Sequence, residues 1–271
     1  MSVYRIAAVV LRQLYLLRNS PARWLPLFVW ATVDIVLWGF ITRYLNTIAS
    51  SGFDFIPMLL GAVLFWDFFT RVMNGVAIAF LEDVWSRNFL NFFTSPLTIA
   101  EYLTGLIFTS ITTSLVGLTV MLFLARAVFG LSWFVYGAAF VPFLLVLFLF
   151  GIGMGIFGSA VVFRLGPASE WLIWPIPAIL SPFAGVFYPL ATLPHWMHGI
   201  SYLLPASYIF KGMRKIVAGG TQEASVEWSS LLLATGLSVA YILLACWFFS
   251  RIYRHATRSG LIARYSAETV P

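Results

Sequence analysis

The sequence predicts an all-α integral membrane protein with six transmembrane helices. Hydrophobic residues make up 61% of its 271 residues and charged residues only 10%, and the mean hydropathy is +0.93. A soluble domain of this length cannot bury so much apolar surface. A membrane-spanning helix needs about 20 apolar residues, and runs of that length occur about six times along the chain. We therefore predict one transmembrane domain, 1–271.

The N-terminal segment, 1–20, is predicted to be a helix that lies on the cytoplasmic membrane surface. It is too short and too charged to cross a bilayer, and Arg5 and Arg12 are one heptad apart, on nearly the same helical face. It lacks the small-residue cleavage pattern of a signal peptide, so we expect it to be retained. The sequence Asn19-Ser20-Pro21 is predicted to end this helix and start the next.

Six apolar segments are the predicted spans. The fourth is longer than a bilayer requires, so we expect it to tilt, to kink near Pro142 or to protrude. The fifth is interrupted by Pro175, Pro177 and Pro182. The predicted spans are 24–44, 57–81, 102–125, 133–163, 170–190 and 228–250, followed by a cytoplasmic tail, 251–271.

The distribution of basic residues predicts the orientation in the membrane. Cytoplasmic loops carry an excess of arginine and lysine, and placing both termini in the cytoplasm gives ten such residues inside and five outside. The inside group is Arg5, Arg12, Arg18, Arg23, Arg87, Arg164, Arg251, Arg254, Arg258 and Arg264, and the outside group is Arg43, Arg126, Lys211, Arg214 and Lys215. This predicts a multi-pass protein of the cell (inner) membrane.

The segment 82–100 is the predicted cytoplasmic loop between spans two and three. The sequence from Glu82, EDVWSRNFLNFFTSPLTIAEYLTG, mixes charges with large aromatic residues, which are the residue types that dominate protein interfaces. Ser95 followed by Pro96 is a helix-start signal, because serine caps free N–H groups and proline loses nothing at the first helical position. We predict two short helical pieces that form a docking surface.

The segment 191–217 is predicted to form two short helices outside the membrane or re-entering it. Pro194–Leu204 and Ala206–Val217 are each about eleven or twelve residues long and are separated by Pro205. Helices of that length are too short to span.

Together, these two segments resemble the type-2 permeases of ATP-binding-cassette (ABC) exporters. In the loop, the acidic pair Glu82-Asp83 is followed by Ser95-Pro96-Leu97 and then by Glu101-Tyr102-Leu103-x-Gly105. The external motif matches in order at Gly185, Phe187, Tyr188, Pro189, Leu190, Leu193, Pro194, Trp196, Leu203, Leu204, Pro205, Tyr208 and Arg214. One position departs: Lys211 stands where family members often carry an acidic residue, which makes the outer mouth more basic.

The resemblance implies a coupling helix in the loop and a separate cytoplasmic ATPase subunit in two copies. It also implies a second permease copy, as a homodimer or with a paralogue. The coupling residues implied are Glu82, Asp83, Trp85, Arg87, Phe89, Phe92, Pro96 and Glu101. ATP and magnesium are expected in the partner subunit. The chain itself cannot be the ATPase, because neither Lys211 nor Lys215 stands in a phosphate-binding G-x-x-x-x-G-K-[ST] motif.

Three ionisable residues fall within predicted spans: Asp34 in the first, and Asp67 and Arg71 in the second. Asp67 and Arg71 are four residues apart and share a helical face. A lone charge at this depth costs about 2.5–3.5 kcal/mol on insertion scales, so partners or water are expected. The three residues form either a structural ion pair that locks the two spans together or a polar patch on the transport path.

Other sites have less support in the sequence. His195 and His198 have no carboxylate or cysteine nearby, so no metal site is predicted. The single cysteine, Cys246, lies in an apolar run and is assigned to packing. The net charge of +6 is assigned to the cytoplasmic arginines rather than to nucleic-acid binding.

Three classes of function compete. The first is the permease of an ATP-driven exporter of a drug, lipid, glycolipid or polysaccharide, in contact with membrane lipids. The second is a passive channel or scramblase that uses the same spans without a partner. The third is a membrane-embedded enzyme. An intramembrane aspartyl protease requires Tyr-Asp and Gly-x-Gly-Asp motifs, whereas Val33 precedes Asp34 and Trp66 precedes Asp67.

Overall fold

The computed structural model describes residues 1–48, 55–86, 95–223 and 227–259, and all regular structure within these residues is helical. The α-helices are α1 (Val3–Asn19), α2 (Pro21–Ile48), α3 (Gly61–Trp85), α4 (Ile99–Phe129), α5 (Phe140–Leu165), α6 (Glu170–Ile173), α7 (Pro175–Ala184), α8 (His195–Leu203), α9 (Pro205–Glu223) and α10 (Trp228–Ser259).

Five helical segments of the described chain are long and apolar enough to cross a membrane. They correspond to the first, second, third, fourth and sixth predicted spans. Their ranges are Pro21–Ile48, Ile56–Trp85, Ile99–Phe129, Trp133–Leu165 and Trp228–Ala256.

The predicted fifth span, 170–190, is divided into short pieces. A 3₁₀ turn, Pro167–Ser169, leads into α6, and α7 ends at Gly185 in a left-handed conformation with φ of 62°. At about 1.5 Å per residue, the 10 residues of α7 cover only about half of a hydrocarbon core of about 30 Å. A membrane crossing by the fifth predicted span therefore remains a prediction.

The fourth predicted span breaks at Gly137 rather than near Pro142. Residues Trp133–Ala139 form a 3₁₀ helix in which Gly137 has φ of 53°, a left-handed value that glycine adopts without a steric cost. Pro142 lies in the first turn of α5, where its missing N–H removes no helical hydrogen bond.

Helix α3 lies at the centre of the bundle, between α4 and α5, and α5 also packs along α10. Glycines on α5 allow close approach. A Cβ on Gly155 would lie 2.8 Å from the carbonyl oxygen of Met73, and one on Gly153 would lie 3.2 Å from the amide nitrogen of Ile242. Small residues at such contacts let the backbones of membrane helices approach closely.

Helix α1 lies across α4 and also contacts α2. Val9 and Gln13 are its buried residues, and a Cβ on Gly105 of α4 would lie 2.6 Å from Cβ of Val9. Tyr4 and Tyr15 are exposed. The helix therefore has one face on the bundle and one open face, as an interfacial helix requires.

Candidate functional site

The predicted coupling loop begins at the end of α3, where Asp83 is buried. Asp83 is only 2% exposed, and four donors surround its carboxylate. Arg12 of α1 donates through Nη1 at 3.0 Å and Nη2 at 2.5 Å, Gln13 donates through Nε2 at 3.2 Å, and the hydroxyl of Tyr102 of α4 donates at 2.7 Å. The hydrogen bond to Asp83 raises the pKa of Arg12. Asp83 thus joins three helices.

The other end of the loop is held at Glu101, which is also 2% exposed. Glu101 and Thr98 form a capping box: Glu101 N–H donates to Thr98 Oγ1 at 3.3 Å, and Thr98 N–H donates to Glu101 Oε2 at 2.9 Å. The backbone N–H of Ser2 donates to Glu101 Oε1 at 2.6 Å, and Arg5 Nη1 lies 3.4 Å from Oε2.

The prediction that Ser95 and Pro96 start the next helix is wrong. Helix α4 begins at Ile99 with Thr98 as its N-cap, because the capping box satisfies two free backbone donors at once. Ser95 and Pro96 lie in the turn before it, and the carbonyl oxygen of Pro96 accepts a hydrogen bond from Arg5 Nη1 at 2.5 Å.

Three of the predicted coupling residues are accessible: Trp85 and Pro96 are exposed and Glu82 is partly exposed. Trp85 is 55% exposed at the end of α3, and Glu82 pairs with Arg23 of α2 at 3.2 Å. Trp85 also lines an open pocket of about 380 Å³ together with Ala168, Glu170, Trp171 and Trp174. Arg87, Phe89 and Phe92 lie outside the described residues.

Sequence analysis missed the part that α1 plays in this site. It predicted Asp83 and Glu101 for a docking surface, whereas the structure buries both against α1, so neither carboxylate faces outward. Two signals pointed to this arrangement: Arg5 and Arg12 share a face of α1, and Thr98-x-x-Glu101 is a capping-box pattern.

The ionisable residues within the spans come together as an intramembrane triad of Asp34, Asp67 and Arg71. Arg71 Nε pairs with Asp67 Oδ2, and Arg71 Nη1 donates to the carbonyl oxygen of Leu27 of α2 at 3.1 Å. Asp34 of α2 is near enough to interact electrostatically with Arg71 and Asp67. The expectation of partners is confirmed, and the triad joins α2 to α3.

The external motif is organised around the end of α7. Arg214 of α9 donates through Nη1 to the carbonyl oxygen of Gly185 at 2.7 Å, and burial lowers the pKa of Arg214 to about 10. A Cβ on Gly185 would lie 2.7 Å from Cδ2 of Leu190, which adds a steric reason for glycine to its left-handed φ. Tyr188 donates to the carbonyl oxygen of Pro182 at 3.1 Å.

The remaining residues of this motif shape the two short helices. Pro189 and Pro194 flank the 3₁₀ turn that leads into α8, Pro205 begins α9, and the hydroxyl of Tyr208 donates to the carbonyl oxygen of Tyr202 at 2.9 Å. Trp196 is 68% exposed. The position of α8 and α9 at the outer membrane surface remains a prediction.

Two further predicted features can be located. Lys215 pairs with Glu227 at 2.7 Å. Of the three basic residues of the predicted outer segment, Lys211, Arg214 and Lys215, the last two therefore have protein partners. The ring centroids of His195 and His198 lie 5.3 Å apart. The described residues contain no group of three His, Cys, Asp or Glu side chains that could hold a metal.

Comparison with known proteins identifies the family. The sequence model described as ABC-2 type transporter matches residues 8–218, a region that includes most of α1, the predicted coupling loop, the triad and the external motif. A search of curated proteins gives no significant match. The chain therefore belongs to the ABC-2 type transporter family and is the transmembrane permease subunit of an ABC transporter.

Proposed function

We propose that this permease is the membrane subunit of an ATP-driven exporter, and that the loop between α3 and α4 couples it to a separate ATPase subunit. The observation that carries the proposal is the pair of ion bridges at the two ends of the loop. Arg12 binds Asp83 at the end of α3, and Arg5 binds Glu101 at the start of α4. A displacement of the loop is therefore transmitted to α1, α3 and α4 together.

In this proposal six of the eight predicted coupling residues divide into two groups. Trp85, which is exposed, and Arg87, Phe89 and Phe92, which the sequence places in the loop, are the contact residues. Asp83 and Glu101 act indirectly, because they hold α1 against the loop. Arg12 is 29% exposed and Asp83 only 3% at the side chain, so a partner can reach the arginine edge but not the carboxylate.

A second permease copy completes the transport path. Helix α2 presents an apolar row of Trp30, Leu37 and Tyr44, spaced by seven residues and each more than half exposed. Such a row fits another copy of this helix or the lipid tails. We propose a homodimer, or a dimer with a paralogue, that carries two ATPase subunits with bound ATP and magnesium in the inner membrane, with both termini in the cytoplasm.

The proposed cargo is a drug, lipid, glycolipid or polysaccharide. The apolar interior of the bundle and its aromatic residues support an amphiphilic molecule. The basic residues Lys211, Arg214 and Lys215 give limited support to an anionic cargo, because Arg214 binds the backbone at Gly185 and Lys215 binds Glu227.

Reconstitution tests the proposal. The permease is co-expressed with candidate ABC ATPase subunits, and the co-purified complex is placed in lipid vesicles. We expect ATP hydrolysis that candidate amphiphiles stimulate, and movement of the amphiphile only when ATP is present. Movement that is independent of ATP and of any ATPase subunit would favour a passive channel or scramblase.

A further inference from the structure

The C-terminal end of α10 carries a row of cations on one helical face. Arg251, Arg254 and Arg258 follow Trp247 at spacings of four, three and four residues, which place all four side chains in one narrow stripe along the helix. All four are exposed. The opposite face of this part of α10 is buried against the bundle, at Ala245, Phe249, Ile252 and Ala256. The cations therefore point away from the rest of the chain.

The same stripe is apolar in the turn that precedes Trp247. Leu243 and Leu244 are 65% and 63% exposed there. Trp247 itself holds the first cation, since Cζ of Arg251 lies 5.2 Å from the centroid of its indole ring. Tryptophan prefers the level of the lipid headgroups in a membrane. Along α10 the stripe thus changes from apolar to aromatic to cationic.

Helix α5 brings a further cation to the same end of the bundle. The ring of Phe163 stacks on the rings of Phe249 and Tyr253 of α10, with centroids 6.0 and 6.1 Å apart. The next residue, Arg164, is exposed in the last turn of α5. It therefore lies at about the same depth as Arg251.

Carboxylates of the described chain do not balance these cations. Neither α5 nor α10 contains an aspartate or glutamate. The ion pairs among the described residues do not include Arg164, Arg251 or Arg258. These three guanidinium groups are therefore available to an anion from outside the chain.

We propose that the stripe on α10, with Arg164, binds the phosphate group of an anionic phospholipid in the leaflet where α10 ends. Guanidinium groups donate paired hydrogen bonds to phosphate oxygens, and basic residues at the end of a membrane helix attract anionic lipids. The order along the stripe matches the order within a lipid: acyl chains beside Leu243 and Leu244, and the phosphate beside the arginines.

The apolar part of the stripe favours a lipid over a water-soluble protein partner. Leu243 and Leu244 lie within the candidate span Trp228–Ala256, where a water-soluble protein cannot reach them. A zwitterionic lipid is the weaker ligand, because its headgroup carries its own cation beside the phosphate. The proposal is independent of the coupling role of the loop.

Native mass spectrometry of the full-length permease tests this site. Phosphatidylglycerol and phosphatidylcholine are titrated separately, and we expect saturable binding of one phosphatidylglycerol per chain at a lower concentration than phosphatidylcholine requires. The double variant Arg251→Gln with Arg258→Gln should weaken phosphatidylglycerol binding by at least about tenfold. The control, Arg43→Gln with Arg126→Gln, removes two exposed arginines from the opposite ends of other helices and should bind like the wild type.

Equal binding of the two lipids by the wild type would overturn the proposal. So would full affinity in the double variant, or an equal loss in the control, which would show an effect of total charge alone. If the double variant fails to fold, Arg258→Gln alone, at the exposed end of α10, should still weaken phosphatidylglycerol binding by about fivefold, and wild-type affinity in that variant would contradict the site.

Discussion

Arg12 and Asp83 form a two-pronged ion pair between the N-terminal helix and the end of α3, with N–O distances of 3.0 and 2.5 Å. Asp83 receives two further hydrogen bonds, from Gln13 and Tyr102. A carboxylate that is buried and paired in this way depends on its cation. The pair therefore connects the stability of the bundle to the position of α1.

Arg12→Met should destabilise the protein and loosen α1. Removing one partner of a buried ion pair costs about 3–5 kcal/mol, but because Arg12 is 29% exposed and Asp83 keeps two other donors, we expect about 1–3 kcal/mol. Thermal unfolding in lipid nanodiscs measures the loss of stability, and limited proteolysis measures release of α1. Arg18→Met, in the same helix, is the matched control and should unfold like the wild type.

Trp85→Ala and Arg87→Glu should each abolish transport in the reconstituted complex while the permease remains folded. The permease should remain folded because Trp85 is exposed at the start of the loop and contributes little to the core of this chain. Transport should be lost because Trp85 and Arg87 are proposed contact residues for the ATPase subunit. Transport and ATPase stimulation are measured together. Trp228→Ala, which removes an equally exposed indole at the start of α10, is the control. Normal transport in both loop variants would remove the coupling assignment.

Asp67→Asn separates a structural triad from one on the transport path. Under the structural interpretation, the variant breaks the mostly buried ion pair with Arg71, so expression, assembly and transport should fall together. Loss of transport with normal expression and assembly would instead place the triad on the path. Transport assays on matched amounts of assembled complex make the distinction.

Gly155→Ala should weaken the packing of α5 on α3. The added methyl group would lie 2.8 Å from the carbonyl oxygen of Met73 and 2.9 Å from Cβ of Val76, and the carbonyl oxygen cannot move without a shift of α3. Overpacking of this kind costs about 1–3 kcal/mol. Gly236→Ala adds the same methyl group where nothing lies within 4 Å, so its melting temperature should be unchanged or slightly higher. Equal melting temperatures for the two variants would contradict the predicted clash.

Acidification should release the contact between Lys215 on α9 and Glu227 before α10. The hydrogen bond from Lys215 lowers the pKa of Glu227 below its ordinary value of 4.5. Because the folded-state pKa is the lower one, the contact contributes above pH 4.5 and is lost as the pH falls through the folded value. The part of the tryptophan fluorescence that Trp228→Phe removes reports the change, and Glu227→Gln should abolish the acid transition. A transition that persists in this variant would assign it to another group.

Much of the fold followed from local features of the sequence. Apolar runs of about 20 residues must satisfy every backbone donor and acceptor within a helix, because the hydrocarbon offers no other partner. This physical requirement predicted the segments that became α2, α3, α4, α5 and α10. The interruption of the predicted fifth span before α7 also followed locally, since Pro175 cannot donate a helical hydrogen bond to the preceding turn.

The site depended on contacts that no local pattern specifies. The sequence predicted that Arg5 and Arg12 share a face, but only the packing of α1 on α4 places them on Glu101 and Asp83, about 70 to 100 residues away along the chain. The same contacts bury two carboxylates that the resemblance assigned to the coupling surface, and they favour Thr98 over Ser95 as the helix cap.

What the sequence by itself determined was which segments are helical and apolar enough to enter the membrane. The tertiary structure alone decided which charges are buried and with which partners. The physical reason is that helix formation is satisfied by hydrogen bonds within one segment, whereas the burial of a charge is satisfied only by a partner that another segment brings to it.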